Sequence, residues 1–509
     1  MVFIRRLARS WRVLTLTSNA MKKKFITSFI ISTALLVVVS CDDFVDADPP
    51  YKQDADNFFR SPEDYDKALT AAYDLLQTTF NNLWIGEIAS DNSIAGGESV
   101  TDSEGLHQID AMTHGGVNTE LRRLWRWMYA GIARANYLFE FRDNIDFPEK
   151  ERILAEAAFL RAFYYFELVK FFGDVPLIID RRLSQSQVSS QPRTPKDEVY
   201  AQIERDLKFA ADVLEWTSPV KGRVTRGAAL ALLGKAYLYQ DRFDEAATVL
   251  DRVIQEGPYD LFPDVATMFR VVNEGNSEVV FDVQYVALEG GGYGCLECLE
   301  GNAAVGFHGI RGYQGPVYAD GNSYNLPTQN LVDAFEPGDP RLEASVLDIE
   351  AWKTAHPEVE YVEGAGGHTG YYNNKYLKRA DELGPPDNDL TSPVNYVAIR
   401  YADVLLMAAE AHNRKTAPDD GRARQYLNEV RDRVDMPTVN LSGSALTDAI
   451  YHERRVELAG EGHRFFDLVR TGKAAQAIEG FVEGKHELFP IPQVEIDLAG
   501  AGWIQNPQY

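Results

Sequence analysis

The residues best suited to chemistry in this chain are rings with polar neighbours in glycine-rich, irregular sequence. Trp84 stands close to Asp91 and Asn92, and Tyr293, Arg311, Tyr313 and Tyr324 follow in a second stretch. A sugar ring has an apolar face that lies well on Trp or Tyr, while Asp, Asn and Arg bond its hydroxyls. Taken singly, each of these aromatics is better explained as packing a loop onto a helix, since aromatics dominate cores generally. As a set they suit carbohydrate. On that basis, replacing Trp84, Tyr313 or Tyr324 is expected to cost ligand affinity without unfolding the protein. Cys295 and Cys298 form a C-x-x-C in the glycine-rich stretch 289–301. A structural zinc site would want a second pair, and a redox motif a βαβ setting. A local disulfide and two free thiols remain.

Catalytic patterns are missing. His452-Glu453-Arg454-Arg455-Val456 starts like a zincin helix but lacks the second histidine. There is no G-x-S-x-G elbow and no phosphate-binding loop. Acidic residues are so numerous that no carboxylate pair stands out for glycosidase work. No metal or cofactor is implied. With 76 Asp and Glu against 51 Lys and Arg, formal net charge is −25. Such a chain lacks the basic stripe that nucleic acid requires, and it does not lie on an anionic membrane by charge attraction. The acidity suits a solvated exterior, with or without a salty habitat.

These residues need elements to hold them. Ser61-Pro62-Glu63-Asp64 reads as a helix start, with Ser61 as N-cap, Pro62 at N1 and Asp64 at N3. Thr194-Pro195-Lys196-Asp197 repeats the device. Segment 121–141 places Leu124, Trp127, Met128, Gly131, Ile132, Ala135 and Leu138 at helical steps. Segment 151–172 is a helix ended by Gly173, and its stripe of Phe159, Phe163 and Phe166 reads as core. Segment 225–258 has tetratricopeptide spacing, with Gly234 and Ala246 small where two helices cross and Leu233, Tyr237 and Leu250 in the seam. A lone hairpin cannot bury its face, so others must stack on it. A weaker helical pair covers 401–433, and a further helix 448–469. Between them, 259–395 holds one clear strand pattern, 279–285, and many loop aromatics. Long loops inside a compact protein are usually functional.

The start of the chain is an export signal. Met21-Lys22-Lys23-Lys24 is basic, 25–39 is apolar, and Ser40-Cys41 follows. A cysteine after a small residue resembles a bacterial lipoprotein signal, although Val38 stands where Leu is usual. The mature protein is then expected to begin at Cys41, held to the membrane by acyl chains on that residue. The acidic stretch 42–50 reads as a tether. Residues 1–20 lie upstream of a better start at Met21.

Taken in order, several motifs resemble the SusD/RagB family of outer-membrane nutrient-binding lipoproteins. They are Cys41-Asp42-Asp43, the 61–64 helix start, 155–166 followed by Phe172-Gly173-Asp174-Val175-Pro176-Leu177, 400–411, and Glu453-Arg454-Arg455-Val456-Glu457-Leu458 running on to 462–470. Leu488-Phe489-Pro490-Ile491-Pro492 and Asn506-Pro507 complete the set. The resemblance implies an all-α fold, an α/α superhelix of tetratricopeptide-like hairpins with a large loop-rich insertion containing a few short strands. The organisation expected is a signal at 1–40, anchor and tether at 41–60, and one domain at 61–509. Within that domain, 61–258 and 396–480 are helical repeats and 259–395 the ligand-binding lobe. The resemblance further implies a non-catalytic protein on the outer membrane, facing outward. It would capture a glycan, or sometimes a peptide, and deliver it to a SusC-like TonB-dependent transporter. The alternatives are a lipid-anchored glycan-degrading enzyme, a peptide-uptake lipoprotein and a pure interaction scaffold. Family motifs place no binding residues here, and Arg454, Arg455 and Glu457 read as packing and ion-pair residues.

Overall fold

The computed structural model describes residues 58–509 apart from 184–186, 188, 189, 289–291, 293 and 384–389. The signal, Cys41, the tether and Tyr293 lie outside the described residues. The scaffold opens with α1 (Pro62–Asp74), α2 (Phe80–Ile88), β1 (Ser93–Gly96), α3 (Thr119–Glu140), α4 (Lys150–Phe172), α5 (Lys196–Val213), α6 (Arg226–Leu238) and α7 (Phe243–Glu256). The lobe carries β2 (Val279–Val283), α8 (Ala303–His308), β3 (Tyr324–Pro327), β4 (Val346–Asp348), α9 (Ile349–Ala355), β5 (Tyr371–Asn373) and β6 (Tyr396–Arg400). Then come α10 (Tyr401–Arg414), α11 (Asp420–Asp432), α12 (Gly443–Glu457) and α13 (Arg464–Arg470), with shorter turns between. Among the described residues, no helix is long and apolar enough to cross a membrane.

Local chemistry sets these boundaries. The Asp64 carboxylate accepts the Ser61 N–H at 2.9 Å and the Ser61 hydroxyl at 2.8 Å, closing the first turn of α1. Asn118 Oδ1 caps α3 by accepting the N–H groups of Glu120 and Leu121. Every spaced residue named for 121–141 faces the core. So do Phe159, Phe163 and Phe166, and the first two meet Phe281 of β2 edge-on.

Two expectations need correction. At the second helix start the cap is Pro195, one residue later than expected. Thr194 instead exchanges backbone hydrogen bonds with Val175, at 3.0 and 3.2 Å, so it is held in an extended pair. The expected helix at 448–469 is two helices, α12 and α13, split at 458–463. The split is tertiary. Gly462 has φ +90° and lies against Leu83, where an added Cβ would sit 2.8 Å from the Leu83 Cα.

The helices stack in sequence. α4 packs on α3 and α5, α5 on α6, and α6 on α7. The chain then leaves the scaffold. On its return α10 packs on α7, and α11 and α12 pack on α10. The seam of the α6–α7 pair is as tight as the spacing implied: a Cβ on Gly234 would meet the Leu250 side chain at 2.5 Å. The excursion is closed by β2 and β6, which pair antiparallel with Phe281 opposite Ile399 and Val283 opposite Tyr396. Inside it β4 pairs with β5, and its β3 pairs with β1 of the scaffold segment, both antiparallel. Residues 59–509 form one compact unit. The lobe has its own apolar centre, including Ile310, Tyr313, Leu326, Ile349 and Tyr372.

Buried ion pairs tie lobe to scaffold. Arg400, at the end of β6, meets Glu278 at 2.7 Å, Glu457 at 2.6 Å and Glu461 at 2.8 Å. Burial alone would raise the Glu457 carboxyl. Arg433, Arg400 and Arg341 outweigh it and hold the group well below its ordinary range. Arg454 meets Asp403 at 2.8 Å and Asp467 at 3.1 Å. The motif residues are therefore the joints of the fold. Cys295 and Cys298 are joined as a disulfide, with Cα atoms 5.3 Å apart.

Candidate functional site

Two loops of the lobe and the loop that follows β1 are laced into one face. Gly97 donates its N–H to the Ser323 carbonyl at 2.7 Å, and Ala365 donates to the Glu98 carbonyl at 3.0 Å. Val362 donates to the Arg311 carbonyl at 2.8 Å, while Gln314 and Glu360 exchange two backbone bonds. Tyr372 of β5 lies beneath, its hydroxyl 3.3 Å from Ser323 Oγ. The buried lobe core thus holds loops whose outward side chains are polar.

The outward groups are Arg311, Tyr361, His368 and several carboxylates. Arg311 is only loosely paired, 3.5 Å from Glu98 and 4.0 Å from Asp102. Its Nε, itself buried, has no acceptor. Tyr361 is half-buried, its ring stacked on His368 at 5.8 Å and 30°. The Tyr361 hydroxyl donates to Glu350. Burial first, and that carboxylate second, push the phenol well above its ordinary range, so it stays a donor. The Lys353 ammonium lies 5.2 Å from the same ring. Trp352, also half-buried, stacks on His356 at 3.9 Å and donates its Nε1–H to the Tyr313 hydroxyl at 3.0 Å. Glu350, Glu363 and His368 bring one ligand atom each within 4.8 Å of one another, a set able to receive a cation.

The expected site residues fall in three places. Arg311 stands on this face. Trp84, Tyr313 and Tyr324 lie inside it, only 5 %, 5 % and 4 % exposed. Trp84 donates its Nε1–H to His308 Nε2 at 2.7 Å and packs on Phe307 and Tyr324. Tyr313 donates to the Pro316 carbonyl at 2.7 Å. None of these three rings offers an open face, because each fills the gap between lobe loops and α2 or α9. Asp91 and Asn92 hold the helices: Asp91 receives Arg464 at 2.7 and 2.9 Å, and Asn92 Oδ1 receives Arg455 at 2.9 Å. The ring not singled out beforehand is Tyr361. Val359 and Tyr361 alternate with glutamates, a pattern that fits a buried strand as well as an exposed loop, so the chain alone did not mark this ring.

Comparison with known proteins covers nearly the whole chain. A model described as the SusD family matches residues 289–509, and one described as starch-binding associating with outer membrane matches 43–238. SusD-like protein P2 of Formosa agariphila is 28% identical over 520 residues, spanning 96% of this chain and 100% of its own. A solved laminarin binding SusD-like protein is 36% identical with a TM-score of 0.82, covering 89% of this chain and 100% of that one. Surface glycan-binding protein A from Bacteroides thetaiotaomicron, in complex with laminarihexaose, is 25% identical with a TM-score of 0.77, over 88% of this chain and 100% of that one.

Proposed function

The chain belongs to the SusD family, and from that premise we propose that it is a surface lipoprotein that binds a glycan without transforming it. The handover is to a SusC-like TonB-dependent transporter in the outer membrane. Cys41 is the proposed lipid site. The proposed ligand is a neutral glucan of the laminarin class, bound on the face of Arg311, Tyr361 and His368. The observation that carries the reading is the 36% identity to a laminarin binding SusD-like protein over that protein's full length. The face agrees in kind: a stacked ring for a pyranose, a donor in Arg311, and acceptors in Glu98 and Asp102. Such contacts supply affinity without an activated nucleophile.

Native gels cast with laminarin, amylose, xylan or pectin test this. The protein is expected to be retarded by laminarin and to release no reducing ends from it. Tyr361→Ala should weaken retardation roughly fivefold or more, as a ring at the centre of a binding site does, with the melting temperature unchanged. Release of reducing sugar would overturn the non-catalytic reading, and free migration on every gel would remove the binding role. Normal retardation of the Tyr361 variant would move the site elsewhere.

A further inference from the structure

A second cleft lies where the scaffold helices meet β2. Two hollows, of about 320 and 340 Å³, share Lys221, Gly222, Arg223, Asp282 and Gln284 in their walls. They form one groove crossed by the Gly222–Gln284 contact. Each hollow is in the range of ordinary ligand sites, about 300–1,000 Å³. Tyr73 lines one end, and Trp216 and Tyr259 line the other, all three half-buried.

The polar groups are unevenly committed. Arg223 is engaged, 3.3 Å from Glu156 and 3.2 Å from Asp66. Asp282 and Glu274 both accept from Asn395, at 3.0 Å each. Lys221 is exposed and has no ion pair among the described residues. Trp216 is half-buried, with the Arg226 guanidinium 5.8 Å from its ring centre, and lines the groove with its accessible part. An anionic ligand would meet Asp282 and Glu274. A strongly cationic one would meet Lys221 and Arg223. A polyhydroxylated, uncharged chain suffers neither repulsion and matches rings beside mixed donors and acceptors.

We propose that the groove of Trp216, Lys221, Gln284 and Tyr259 is a second binding site for a neutral glycan, separate from the Tyr361 face. The two sites stand on different elements, one on lobe loops and one on the α5–α6 turn and β2. A long polysaccharide able to engage both is held more tightly than a short one through effective concentration.

The test compares the full-length wild type, Trp216→Ala, Tyr361→Ala and the double variant on gels containing laminarin, amylose, xylan or galactomannan. Tyr361→Ala is expected to keep part of its retardation on at least one glycan. Trp216→Ala should weaken retardation on that glycan roughly fivefold, and the double variant should migrate freely. Trp216→Phe, which keeps a ring, should recover most of the loss, and thermal unfolding should confirm that Trp216→Ala is folded. If Trp216→Ala matches the wild type on every gel, or Tyr361→Ala alone abolishes all retardation, the groove is not a glycan site. Loss through unfolding is separated by Lys221→Ala, an exposed change that should also weaken retardation; normal behaviour of that folded variant would equally overturn the proposal.

Discussion

Trp84 and His308 show why residue type alone misleads about a site. His308 is fully buried, and its Nε2 accepts from both Trp84 Nε1 and Asn325 Nδ2, at 2.7 and 3.2 Å. A ring nitrogen that receives two donors cannot also carry a proton. Burial pushes the imidazole from 6.5 down to about 3. The unfolded chain therefore binds a proton as pH falls below about 6.5 while the folded one does not. This contribution to stability is complete above the unfolded value and is lost progressively as pH falls toward about 3. The urea midpoint of the wild type should drop between about pH 6.5 and 4, and His308→Gln should flatten part of that drop. An unchanged slope would mean the imidazole is accessible. Trp84→Ala is a different case. It empties a packed site, so it should lower stability by about 3–5 kcal/mol in urea titration, and any loss of binding would follow from that. Native stability and altered affinity in this variant would show the ring to be a contact after all.

At the scale of elements, periodicity worked where packing is local. The α6–α7 pair is the clearest case, with Leu233, Tyr237, Ala246 and Leu250 all buried in its seam. Gly234→Ala places a Cβ 2.5 Å from Leu250 and should cost about 1–3 kcal/mol, read as a lower melting temperature with helix content kept. No change would mean the two helices separate easily. The break between α12 and α13 was not legible. Residues 448–469 satisfy a helical pattern, yet α2 presses against Gly462, and Glu87 accepts the Gly462 N–H at 2.7 Å. That bond belongs to two segments 375 positions apart.

At the scale of the molecule, the excursion 259–395 is an insertion between stacked helices, pinned at its neck by the β2–β6 pair and the Arg400 ion cluster. The rigid neck lets loops differ without disturbing the stack. The proposed lipid anchor is Cys41. Cys41→Ala is expected to shift the protein from the membrane fraction to the soluble fraction, since no other acyl attachment is proposed. Retention in the membrane fraction would refute lipidation at that residue.

The helical scaffold with its loop-rich insertion, the helical pairs, a strand pattern at 279–285 of which 279–283 is strand, and the core role of Phe159, Phe163 and Phe166 were legible in the chain. They depend on spacing within one element, and spacing survives without knowledge of partners. The C-x-x-C left disulfide and free thiols open, and only the placed sulfurs decided for the bond. Which rings face water was also decided in three dimensions. Trp84 has Asp91 and Asn92 a few residues on and Tyr361 is flanked by glutamates, but α8 and β3 close over Trp84, while the acidic loop leaves Tyr361 half open. Exposure is a property of what packs on a residue from elsewhere in the chain, and no local pattern carries that information.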